Sequence, residues 1–113
     1  MLLVACNAAA ADNPFRNVYR YDLPPVRMAD RLRENLVKQF PPGTARIDDA
    51  ERYLTDAGAQ CGAAQGARHC TYTLRRPPIG PDGRPVPGKA FIRFEVDLIP
   101  RGELVGDVRT TAD

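Results

Sequence analysis

The chain holds no serine, a single histidine and no Cys-x-x-Cys pair. Without serine there is no serine nucleophile, and one histidine does not supply a histidine-rich metal or catalytic set. No apolar run approaches the ~20 residues of a membrane-crossing helix. Charge of one sign is nowhere concentrated. The 16 basic and 14 acidic residues leave a net +2 and alternate along the chain, without the blocks of about five or six like charges that mark interaction tails. That pattern, without a basic face interleaved with stacking aromatics, argues against a nucleic-acid partner. The phosphate-cradling Gly-x-x-x-x-Gly-Lys-Ser/Thr pattern is also missing.

What is present fits one small domain with tails. Of 113 residues, 43% are apolar and 27% charged, an ordinary balance for a folded chain. Eleven prolines and nine glycines assign a large share to loops. A domain of this size buries only about 60–65% of its unfolded surface, so a covalent staple would help it.

Residues 1–13, small and polar after the opening apolar run, read as a tether, and residues 13–25 as an extended arm. In the arm, Tyr19, Tyr21 and Leu23 alternate with Arg20 and Asp22, the period of an extended segment. Residues 26–110 read as the domain. In Arg27–Phe40, Met28, Leu32, Leu36 and Phe40 recur every fourth position, with Ala29 and Val37 widening the stripe; this predicts a helix, stopped by Pro41-Pro42-Gly43. Thr44 is placed as the N-cap of a second helix with Ile47, Ala50, Leu54 and Ala57 as its apolar stripe, Asp48, Asp49 and Glu51 in its early turns and Gly58 as its C′ residue.

Three strands follow. Cys70, Tyr72 and Leu74 share one face of the first. Ala90, Ile92, Phe94, Val96 and Leu98 share one face of the second, and Leu104 and Val108 mark the third. Residues 76–89 form a Pro/Gly-rich loop. The predicted fold is α+β in the order α-α-β-β-β: two helices packed on one face of a three-stranded antiparallel meander.

Three cysteines leave one over. Cys61 and Cys70 bracket small, flexible residues, and nothing nearby offers zinc-ligand spacing. A disulfide between them is the favoured reading, with two free buried thiols as the alternative. A redox-active pair would use closer spacing at a helix N-terminus. Cys6 follows Leu3-Val4-Ala5.

No catalytic set emerges. His69 reads as a solvated loop residue, Asp48-Asp49 as dipole and capping residues, Arg75-Arg76 as a solvated strand edge with anion binding the minor alternative, and Gly80–Gly83 as a turn. Thr71 and Thr73 read as the outer face of a strand. The expectation is therefore no catalytic residue, no metal and no cofactor.

Leu3-Val4-Ala5-Cys6 resembles the lipobox of bacterial lipoproteins. The resemblance implies cleavage before Cys6, acylation of its sulfur and new amino terminus, and Asn7 in a position consistent with the outer membrane. With the helix–helix–strand order, Pro42-Gly43-Thr44 opening the second helix, Leu54–Gly58 closing it and Pro100-Arg101-Gly102 between the last strands, residues 40–110 resemble the BamE/SmpA-type outer-membrane lipoproteins and the wider β-lactamase-inhibitor-protein-like fold. That likeness implies a lipid-anchored, non-enzymatic domain on the periplasmic face of the outer membrane that binds another cell-envelope protein. The contact would use an exposed sheet face or edge and the arm, with Phe15, Tyr19 and Tyr21 as anchors or, alternatively, as cover for the domain's own core. Two other readings stay open: an inhibitor or immunity-type lipoprotein that inserts its proline-stiffened loop into an enzyme, and a carrier of a small ligand between helices and sheet.

Overall fold

A computed structural model describes residues 13–20, 22–75, 79–85 and 91–113. It corrects the arm first. Asn13-Pro14 opens a one-turn helix, α1 (Pro14–Asn17), in place of an extended segment. The Asn13 side chain accepts from the backbone N–H groups of Phe15 and Arg16 at 3.0 and 3.1 Å, and Pro14 occupies a first-turn position where its missing N–H costs nothing. The Tyr/Leu alternation that suggested an extended arm lies beyond this helix, where turns interrupt the extended path: the Tyr19 N–H donates to the Arg16 carbonyl and the Leu23 N–H to the Arg20 carbonyl, each at 3.2 Å.

Helix α2 (Pro25–Gln39) begins at Pro25, two residues ahead of the predicted start, and ends as expected before Pro41. Met28, Ala29, Leu32 and Leu36 are its buried face. Helix α3 (Ile47–Asp56) starts later than predicted, with Arg46 at the N-cap. Thr44 is corrected accordingly: its hydroxyl donates to the Pro41 carbonyl at 2.7 Å within the turn and caps no helix. Asp48 and Asp49 do lie in the first turn of α3, and Gly58 follows its C-cap with φ +108°.

The sheet has four strands, not three. β1 (Gln60–Ala64), β2 (Ala67–Arg75), β3 (Phe91–Arg101) and β4 (Leu104–Ala112) lie in that spatial order, every pair antiparallel. The overlooked strand is Gln-Cys-Gly-Ala-Ala, which has no β-branched or aromatic residue and no apolar alternation. It is extended because its neighbour is. Gln65 and Gly66, both at positive φ (52° and 80°), make the two-residue turn that folds it onto β2, and the Cys61–Cys70 disulfide joins the two strands.

The three helices of the described residues all cover one sheet face. Cys70, Leu74, Phe94, Val96, Leu98 and Val108 meet Phe15, Leu32, Leu36, Ile47 and Leu54 in one core. Phe15 stacks on Tyr72 with ring centroids 4.3 Å apart, and the Asn13 amide donates to the Ala57 carbonyl at 3.2 Å. The N-terminal turn is therefore packed into the domain. The opposite sheet face meets no helix among the described residues.

Candidate functional site

Hydrogen-bond directions in the sheet follow from one pair of bonds and the register. Arg93 exchanges both backbone bonds with Asp113, at 3.1 Å each. Opposed residues in an antiparallel ladder alternate between bonded and non-bonded pairs. Odd-numbered residues of β3 therefore bond toward β4 and even-numbered ones toward β2. Carried across the register, the rule makes Cys61–Cys70 a non-hydrogen-bonded pair. It also turns the backbone groups of Cys61 and Ala63 outward, away from β2, and those of Val108 and Thr110 outward from β4.

The two outer edges differ. Along β4, residues 43–47 run antiparallel to its start: the Gly43 N–H donates to the Val105 carbonyl (2.7 Å), the Val105 N–H to the Ala45 carbonyl (2.8 Å) and the Ile47 N–H to the Glu103 carbonyl (2.9 Å). Further along, Arg33 Nε donates to the Val108 carbonyl at 2.8 Å, and the Val108 N–H donates to the Asp107 carboxylate at 2.8 Å. The Thr110 hydroxyl reaches back to the Ala29 carbonyl at 2.7 Å. Along β1, the outward backbone groups of Cys61 and Ala63 meet no partner among the described residues. Its side chains are small and uncharged, four of the five residues being exposed and Cys61 half-buried. None of the usual edge guards, a charge, a proline or a bulge, is built into it.

Two side-chain clusters flank this hairpin. On the helix side, Arg68 reaches Glu51, and Asp48 at 3.2 Å. Its hydrogen bond to Glu51, the charge of that carboxylate and the Asp48 charge raise the guanidinium above its ordinary value. On the open face, His69 stands between two carboxylates, Nδ1 2.5 Å from Asp97 and Nε2 3.1 Å from Glu95. The register that sets His69 opposite Asp97 produces this cluster, and the sequence read His69 only as a solvated loop residue because the strand was placed to start at Cys70. Among the described residues no group of three or more His, Cys, Asp or Glu side chains, this cluster included, is arranged so that it could hold a metal ion, and no helix there is long and apolar enough to cross a membrane.

The sequence-predicted residues fall in different places. Cys61 and Cys70 are joined as a disulfide. Phe15 is fully buried against Tyr72 and Phe94, so its ring covers the domain's own core and is no exposed anchor. Tyr19 is half-buried against the same core. Cys6 and Tyr21 lie outside the described residues. Of the Pro/Gly-rich loop, residues 79–85 form a tight turn: Ile79 bridges Pro85, and the Gly80 N–H donates to the Arg84 carbonyl at 2.8 Å.

No family model, no curated protein and no solved structure matches this chain. The resemblance to BamE/SmpA-type lipoproteins rests on short sequence motifs and a helix–helix–three-strand layout; the fourth strand overturns that layout, and Pro42-Gly43-Thr44 precedes α3 without opening it.

Proposed function

We propose that this protein is a lipid-anchored, non-enzymatic domain of the bacterial cell envelope that holds another envelope protein by accepting one of its segments as an added strand on β1. The observation that carries the reading is the contrast between a closed β4 edge and a β1 edge whose outward donors and acceptors at Cys61 and Ala63 meet no partner among the described residues. Strand addition uses main-chain bonds for affinity, so it asks little of side chains, and small residues let a partner backbone come close. The disulfide supports an oxidising compartment, which agrees with acylation at Cys6. The clustered titratable groups His69, Glu95 and Asp97 are engaged with one another on a flat sheet face, an arrangement suited to a surface more than to a reaction cleft.

The test is recovery of partners from solubilised envelope membranes with wild-type protein and with Ala63→Pro. The substitution removes an outward N–H and leaves the β1–β2 bonds in place. The reading requires the variant to stay folded and lose its partner. Equal recovery by both proteins would overturn it.

A further inference from the structure

The two faces that flank β1 differ in charge. α3 is the helix that packs against β1, whereas α2 packs against β4. From Ile47 to Thr71, α3 and the hairpin hold four acids, Asp48, Asp49, Glu51 and Asp56, against two bases, Arg52 and Arg68. That leaves −2, with His69 neutral, in a chain whose total is +2. Asp48, Asp49 and Asp56 are exposed. Arg68 stands opposite Ala63, and its one guanidinium faces two carboxylates, those of Glu51 and Asp48. One negative charge is therefore left over beside Ala63, where the Asp48 side chain is 56% exposed.

The open face selects no charge. In the rows from Phe91 to Asp97, Arg75, Arg93 and Arg109 balance Glu95, Asp97 and Asp113, and His69 is held between Glu95 and Asp97. β1 itself carries no charged residue that would counter either side. Cys61 and Ala63 oppose Cys70 and Arg68, so their side chains lie on the helix face with buried Cys70 while their backbone groups turn outward. A residue paired with either of them would set its own side chain on that same acidic side. Gly62 belongs to the open face, and nothing lies within 4 Å of the place a Cβ would take there.

We infer that the segment β1 accepts is basic: an extended strand of a partner protein with Lys or Arg opposite Cys61 or Ala63, facing α3, and an apolar residue opposite Gly62, facing the open side. The inference rests on reading β1 as the docking edge and adds the chemistry of what docks there.

The probe is a labelled heptapeptide of alternating Lys and Val, compared with its Glu-for-Lys counterpart, titrated into the full chain by fluorescence anisotropy and followed by amide chemical shifts. The expected result is at least about tenfold tighter binding of the basic peptide, weakening as salt rises, with shifts centred on Cys61 and Ala63. The double variant Asp48→Lys/Asp49→Lys turns the flank from −2 to +2 and should reverse the preference. Asp56→Lys brings the flank to zero and places a cation in the last turn of α3, where the helix dipole favours it; it should narrow the preference while the protein stays folded. Equal affinity for both peptides, a preference untouched by either variant, no binding of the basic peptide, or shifts confined to α3 with Cys61 and Ala63 unmoved would overturn the inference. Equal affinity that Ala63→Pro abolishes for both peptides would remove the charge preference and leave the β1 edge standing. Basic-peptide binding that Ala63→Pro leaves intact would remove both.

Discussion

The two edges of the sheet are made of the same backbone, yet they are finished by opposite means. β4 is closed three times over, by the antiparallel run of residues 43–47, by the Arg33 guanidinium on the Val108 carbonyl and by Asp107 folding onto the N–H of Val108. These contacts come from residues distant in sequence and lie against buried Val105 and Val108. β1 is held by a local turn, three bonded pairs and one disulfide, and its far side meets no partner among the described residues. A buried, non-locally supported edge resists exchange with another chain, whereas a short, locally supported one can accept it. The same protein therefore separates an edge that defines the fold from an edge that is free to work.

The sharpest way to break this comparison is to place one substitution on both edges. The Val105 N–H donates to Ala45, so Val105→Pro removes a used bond at a buried site and should cost about 3 kcal/mol or more. Ala63→Pro removes an unused N–H at an exposed site and should change stability by less than about 1 kcal/mol. Urea unfolding of the two variants decides it. Similar losses in both would mean that the β1 edge is occupied after all.

Removing the disulfide comes next in size. Cys61→Ala/Cys70→Ala should lower stability by about 2–3 kcal/mol on the chain-entropy account, and a dithiol reductant should reproduce most of that shift in the wild type. The distribution of the loss matters more than its total. Amide hydrogen exchange should accelerate in β1 and the Gln65-Gly66 turn while Val105 and Val108 in β4 keep their protection. Uniform acceleration would show that the disulfide supports the whole core and would dissolve the distinction between edges.

How far the sequence revealed this arrangement depends on how each element is stabilised. α2, the body of α3, and β3 carry their own periodicity: the i+4 stripe of Met28, Leu32 and Leu36, and the alternation from Ile92 to Leu98 that splits inward from outward residues. The cysteine pair was legible from spacing and the lack of metal partners. The edge was not. β1 has no strand pattern because its conformation is dictated by pairing and covalent linkage, and α1, at four residues, is too short to show a helical period and is marked only by the Asn13 cap and Pro14. The His69–Glu95–Asp97 cluster and the outward backbone at Cys61 and Ala63 depend on register, which is a property of two strands together and is written in neither alone.

The smallest effect tests whether the turn alone sets the β1 edge in place. Gln65 adopts φ 52° between Ala64 and Gly66, a left-handed conformation that a long side chain enters at a cost and asparagine enters more readily. Gln65→Asn yields Asn-Gly, the pair best suited to a type I′ hairpin turn. It should stabilise the protein by roughly 0.5 kcal/mol, a fraction of the left-handed penalty. With the disulfide intact the hairpin is already tied, so most of that gain should be invisible in the oxidised protein. Under reductant the turn carries the registration of β1 by itself, and the gain should emerge in full. The same small increment in both redox states would mean that the disulfide does not share its task with the turn, and that the open edge is anchored by its three backbone pairs to β2.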